Sequence, residues 1–134
     1  MSLTESLIAV AILAITMAIS APSLLRARTI YELQSAARMV ESRMQSARIL
    51  AVTRNRDCRI NVTSSTTYVV ECQGASWETI ETVSLPRGIT VTASARPEFH
   101  ERGMVAPTAT LTVWDRSGMN LRVIVNVNGR VRIQ

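Results

Sequence analysis

Between Glu5 and Arg26 the chain carries no charged side chain, and the run Ser6 to Leu25, SLIAVAILAITMAISAPSLL, is 20 residues long. A helix of that length rises about 30 Å, the thickness of a bilayer's hydrocarbon core. Ile8, Val10, Ile12, Leu13, Ile15, Met17 and Ile19 spread around every side of such a helix, so no polar stripe remains for water. The segment has to be buried in lipid or against other apolar helices. A cleaved signal peptide has a basic flank before a shorter apolar core, whereas here the flank is acidic and the first arginine is Arg26. Arg26 and Arg28 by themselves argue for a cytoplasmic C-terminal side, but that charge rule is weak against large translocated domains.

Glu5 and Pro22 mark this segment. A carboxylate entering hydrocarbon costs a few kcal/mol even on the gentler insertion scales, so an acid there asks for a named partner. The simpler reading places Glu5 at headgroup level, where the helix N-terminus favours an anion. Pro22 removes one backbone hydrogen bond and predicts a kink or a local loosening.

With Glu5, the long apolar helix and Pro22, MSLTESLIAVAILAI resembles the mature N-terminus of type IV pilins and type II secretion pseudopilins. In that family a prepilin peptidase cuts after a glycine, the new first residue is N-methylated and the fifth is glutamate. The resemblance makes Met1 the candidate N-methylated residue, with an initiator methionine as the alternative. It gives Glu5 the task of neutralising a neighbouring subunit's N-terminal amine during filament assembly. The physics agrees, because a buried carboxylate needs a charge partner.

From Ala27 to about Arg54 the pattern turns amphipathic. Leu33, Ala37, Val40, Met44, Ala47 and Ala51 form one apolar stripe at helical period, and Arg38, Glu41, Arg43 and Arg48 fall largely off it. Small alanines alternating with larger residues favour packing on a sheet over a coiled-coil seam. One helix of about 50 residues is predicted, apolar all round in its first half.

After Asn55 the period becomes two. Cys58, Ile60 and Val62, then Tyr68, Val70 and Cys72, alternate with polar residues around a Thr63 to Thr66 turn cluster. A hairpin turning near Ser65 sets Val62 against Tyr68, Ile60 against Val70 and Cys58 against Cys72. Directly opposed cysteines have the separation a cross-strand disulfide uses. The pair reads as a structural bond in an oxidising compartment, with two free buried thiols as the alternative.

Further strands are expected at 81–85, 89–95, 109–114, 121–127 and 130–133, separated by Pro and Gly positions. Asn128 and Gly129 predict a type I′ hairpin turn. The fold class is α+β: a long N-terminal helix packed by its second half on an antiparallel sheet domain. Residues 1–28 form the transmembrane and filament-core helix, and 29–134 the globular domain.

Order along the chain extends the resemblance. ESRMQSARILAVTRNRDCRINV, FHERG and VNVNGRVRI look like passages of the H-type pseudopilin and FimT-like minor pilin group. Membership implies an exported globular part on a single-pass inner-membrane anchor, which becomes a periplasmic or cell-surface filament after assembly. It implies as partners other pilins, the inner-membrane assembly platform, prepilin peptidase and, before assembly, membrane lipid.

Enzyme chemistry finds no support. All 15 basic residues counted as Lys or Arg are arginine, so neither a Schiff base nor a phosphate-loop lysine exists. His100 is the only histidine; a zinc site would need it with both cysteines, which are better placed for each other, so no metal and no cofactor are expected. Beside Glu98 and Glu101, His100 reads as a solvated loop residue. Trp114 reads as core or core edge, and Trp77 as a loop residue or an exposed interaction residue.

Alternation in Gly129-Arg130-Val131-Arg132-Ile133 puts Arg130 and Arg132 on one face of a strand. Spacing alone describes a solvated edge that blunts aggregation. The resemblance adds that GRVR matches a GRxR motif through which FimT-like minor pilins bind DNA in natural transformation. Arg130 and Arg132, helped by Arg122 and Arg116, are then the DNA-binding candidates, with salt-sensitive, sequence-independent contacts expected. The leading expectation is a pilus or pseudopilus filament subunit; a DNA-binding minor pilin and a type II secretion pseudopilin are the alternatives.

Overall fold

The computed structural model describes residues 2–134, so Met1 lies outside the described residues. Helix α1 runs Leu3–Arg54 and passes through Pro22 without interruption. Its start is a capping box: the Thr4 N–H donates to Ser2 Oγ at 3.3 Å, while Glu5 Oε2 accepts from the Ser2 N–H at 3.1 Å. Its end is a Schellman closure, with Asn55 at φ 50° and the Arg56 N–H donating to the Ala51 carbonyl at 3.1 Å.

The chain falls into two compact units, the first ending at Tyr31 and the second running Glu32–Gln134. In the first, the large apolar side chains from Leu3 to Leu25 are exposed around the helix. The hydroxyls there are satisfied locally: Thr16 Oγ1 donates to the Ile12 and Leu13 carbonyls, Ser20 Oγ to Thr16 and Ser23 Oγ to Ser20. Back-bonded hydroxyls remove most of the cost of placing Ser and Thr in hydrocarbon.

The second unit holds the core. Leu33, Ala36, Ala37, Val40, Met44, Ala47 and Ala51 are all buried, as the stripe predicts, and they join residues of the strands in one cluster. The strands are β1 (Cys58–Ser64), β2 (Thr67–Gln73), β3 (Trp77–Ser84), β4 (Thr90–Ala93), β5 (Glu98–Phe99), β6 (Ala109–Trp114), β7 (Asn120–Val125) and β8 (Val131–Ile133). They form two four-stranded antiparallel sheets, ordered β3-β2-β1-β5 and β4-β6-β7-β8. A single sheet was the expectation, but nothing local in a sequence says that β4 pairs with β6 and leaves β3.

In the β1–β2 hairpin, Val62 pairs with Tyr68, Ile60 with Val70 and Cys58 with Cys72, the register read from alternation. The cysteines are disulfide-bonded, with Cα atoms 4.0 Å apart. At the last hairpin the structure departs from expectation. Gly129 has φ 72° but Asn128 does not have the positive φ that a type I′ turn requires. The Gly129 N–H donates to the Asn126 carbonyl at 2.8 Å, and the Asn126 N–H to Arg130 at 3.0 Å. Val127 and Asn128 are therefore the turn centre and Gly129 the left-handed bulge residue that follows it.

Candidate functional site

Two regions hold the residues singled out by sequence. On the first unit, Glu5 is exposed, its carboxylate turned back on the Ser2 N–H, and Leu3, Ser6, Leu7, Val10, Ala11 and Ala14 line an open apolar groove of about 440 Å³ just beyond it. Among the described residues the carboxylate's hydrogen-bond partner is that backbone N–H. Pro22 has no N–H to give the Ala18 carbonyl, which leaves one acceptor of α1 without its usual donor.

The second region is the outer face of the β4-β6-β7-β8 sheet. Strand alternation sends Leu111, Val113, Val123, Val125 and Val131 into the core and leaves Thr92, Arg122 and Arg132 outside. Reciprocal 2.8 Å backbone bonds pair Arg122 with Gln134, and Ile124 pairs with Arg132. Arg122 and Arg132 are therefore diagonal neighbours, about 7 Å apart along the sheet, and Arg130 stands two residues before Arg132 beside Asn126. All three are exposed, and a groove of about 410 Å³ lined in part by Ser94, Thr110, Ile124 and Asn126 runs over the same sheet. The four strands contain no Asp or Glu. Among the described residues no ion pair engages these arginines.

Arg116 is not part of that group. It lies in the β6–β7 turn at the opposite end of β7 and folds against Gly88. The acid of that turn, Asp115, is buried and accepts from the Ser117 N–H at 2.9 Å, Ser117 Oγ at 2.8 Å and the Met119 N–H at 2.8 Å. Burial pushes its carboxyl up, but the hydrogen bonds from Ser117, Met119 and Gly118 together outweigh it and hold the group below the ordinary carboxylate range.

Neither tryptophan is fully buried. Trp114 is on the outer face, 37% exposed, its indole N–H donating to Thr92 Oγ1 at 3.3 Å. Trp77 opens β3, half-buried, with the Arg59 guanidinium 3.9 Å above its ring. Arg59 also donates to Glu71 Oε2 at 2.6 Å. His100 lies in the loop after β5, half-buried, with its Nδ1 3.1 Å from Asp57 Oδ1. A run as short as β5 shows no periodicity, so that juxtaposition leaves no trace in the order of residues.

A search of curated proteins gave no match. Among solved structures, the type IV minor pilin FimU of Pseudomonas aeruginosa superposes with a TM-score of 0.66 at 18% identity, over 78% of this chain and 89% of that one. The minor pseudopilin EpsH from the type 2 secretion system of Vibrio cholerae gives 0.68 at 15% identity, over 77% and 96%. At these identities the two likenesses show a shared fold over about three quarters of this chain. Residues 36–129 match the family model described as type II transport protein GspH, and the chain belongs to that family of pilin-like proteins.

Proposed function

We propose that this protein is a filament subunit that is held in the inner membrane by residues 1–28, exposes residues 29–134 in the periplasm, and is then withdrawn into a pilus or pseudopilus. The observation that carries this reading is the 20-residue uncharged run with exposed apolar side chains on every side and one carboxylate, Glu5, at its start. Assembly exchanges lipid for the same helices of neighbouring copies, so the apolar surface stays covered throughout. Glu5 leaves its intrachain backbone contact and pairs with the N-terminal amine of a neighbour, which after prepilin peptidase cleavage is the methylated amine of Met1. Pro22 loosens the helix where it passes from the packed core to the domain. The assembly platform and other pilins are its partners. Replacing Glu5 by Ala tests this: incorporation into the sheared or secreted filament fraction is expected to fall sharply while membrane insertion is kept. Normal incorporation would reject the pairing.

A second reading is favoured by the acid-free outer face that carries Arg122, Arg130 and Arg132. Three forked guanidiniums without acidic competition suit the phosphates of a DNA backbone, as in natural transformation. Arg116, folded against Gly88, is peripheral to it. Titrating full-length protein in detergent against duplex DNA, with Arg130→Gln and Arg132→Gln together as control, decides it; equal binding would remove these residues from the reading. The third reading, a type II secretion pseudopilin, shares every feature above and is separated by a secretion phenotype on deletion.

A further inference from the structure

The short strand β5 brings Glu98 and His100 beside the α1–β1 connection. Cys58 pairs with Phe99 and Arg59 with Glu98, and continuing that antiparallel register by one residue sets Asp57 opposite His100. Phe99 is fully buried, so Glu98 and His100, its two neighbours in sequence, share the opposite side of the strand. One carboxylate oxygen from each acid and a ring nitrogen of His100 lie within 4.8 Å of one another, all on half-buried side chains. Asp57 and His100 also line an open cleft of about 800 Å³ that gives the trio access to solvent.

The backbone of all three residues is fixed. The Asp57 carbonyl accepts from the Gln73 N–H at 2.7 Å, the Glu98 carbonyl from Ala106 at 3.1 Å, and the His100 N–H donates to Met104 at 2.9 Å. The adjoining Cys58–Cys72 bond holds the same corner. Glu98 faces Arg59 across the strands, but that guanidinium is committed to Glu71 and to the ring of Trp77. Among the described residues the Glu98 carboxylate has no hydrogen bond or ion pair. A simple His100–Asp57 ion pair therefore accounts for two of the three groups and leaves a second carboxylate beside the first. A protonated imidazole offers one positive charge against two negative ones; a divalent cation offers two.

We propose that Asp57, Glu98 and His100 form a three-ligand site for a divalent cation of the Zn²⁺ class, with water completing the coordination. Zn²⁺ bonds of about 2.0–2.1 Å place tetrahedral donors about 3.3 Å apart. The His100–Asp57 separation of 3.1 Å is close to that spacing. Glu98, the longest of the three and without a bond to break, closes the remaining gap by rotation of its side chain. An imidazole with two carboxylates selects Zn²⁺-like ions over Ca²⁺ or Mg²⁺, which prefer an all-oxygen shell. The bound ion staples the end of α1 to β5. Glu98 stands two residues from His100 in sequence, whereas Asp57 is brought to it only by strand register.

Tag-free full-length protein in detergent, stripped with a chelator and titrated with Zn²⁺ against a competing chromophoric chelator, tests the site. We expect one Zn²⁺ per chain and a Zn²⁺-dependent rise in Tm. Glu98→Gln and His100→Gln should each weaken binding by about tenfold or more and remove the Tm rise. Glu101→Gln, on the next turn of chain outside the trio, should keep both. No saturable binding by the wild type, binding undiminished in Glu98→Gln and His100→Gln, or tighter binding of Ca²⁺ than of Zn²⁺ would each overturn the proposal. The Zn²⁺-free Tm of each variant separates loss of the ligand from loss of the fold.

Discussion

Arg48 Nε, on the buried half of α1, donates to the carbonyl of Gly103 at 3.1 Å across 55 residues of chain. The same spot receives Gly129, where an added Cβ would stand 2.3 Å from the Gly103 carbonyl oxygen and 2.7 Å from Arg48 Nε. Helix, β5–β6 loop and β7–β8 turn therefore meet at a point with no room for a methyl group. The glycine that begins GRVR is there for the fold, whatever the arginines bind.

Gly129→Ala combines a left-handed backbone at φ 72° with that clash. We expect it to lose at least about 2 kcal/mol in denaturant unfolding. Gly118→Ala, at φ 86° with nothing within 4 Å, should lose only about 1 kcal/mol. Equal losses would mean that the contact with Gly103 yields freely.

Arg48→Met keeps most of the apolar stem and removes the donor to Gly103. A charge-assisted bond from a half-buried side chain is worth about 1.5–3 kcal/mol, so the melting temperature should fall by several degrees. An unchanged melt would show that water replaces the guanidinium without cost.

Tyr68 is fully buried, and among the described residues its hydroxyl has no hydrogen-bond partner. Burial raises its pKa from 10.0 to about 12, the nearby Arg43 pulling the other way and Glu81 adding to the rise. The neutral phenol is the form the fold tolerates, so its contribution is intact below pH 10.0 and is lost as pH climbs toward about 12. Tyr68→Phe should leave stability at neutral pH unchanged or raised by up to about 1 kcal/mol, and should flatten that alkaline decline. A large loss at neutral pH would reveal a hydrogen bond made by the hydroxyl.

Asp115 runs the opposite way. Its depressed carboxyl pKa stabilises the fold fully above the ordinary value of 3.8 and progressively less as pH falls below it. Asp115→Asn should lower Tm at neutral pH and shrink the difference from wild type as the medium is acidified. A gap that stays constant with pH would assign the effect to packing alone.

Reducing Cys58–Cys72 opens a bridge between residues 14 apart, for which chain entropy predicts a loss of about 3 kcal/mol. Unfolding with and without reductant measures it, with Cys58→Ser/Cys72→Ser as the reductant-independent check.

What the residues disclose about themselves follows how local the governing physics is. The buried stripe from Leu33 to Ala51 and the Cys58–Cys72 register were legible because each depends on a period within one element or one hairpin. The division into two sheets depends on which distant strand β4 chooses, and β5 is two residues held by Cys58 and Arg59, so neither leaves a pattern in sequence. Trp114 reads in sequence as core or core edge, and alternation with the buried Val113 puts it on the outer face. Asn128 with Gly129 signalled a left-handed residue correctly and its place in the turn incorrectly, since one extra residue slides the bend without changing the dipeptide. Of the four candidate arginines, spacing grouped Arg130 with Arg132; strand pairing sets Arg122 beside them, and Arg116 lies against Gly88 at the other end of β7.

The hydroxyls of Thr16, Ser20 and Ser23, each spent on a carbonyl of its own helix, have one more effect. Their protons are already committed within the helix, so whatever covers that stretch meets few free donors and is held there by side-chain shape and apolar contact.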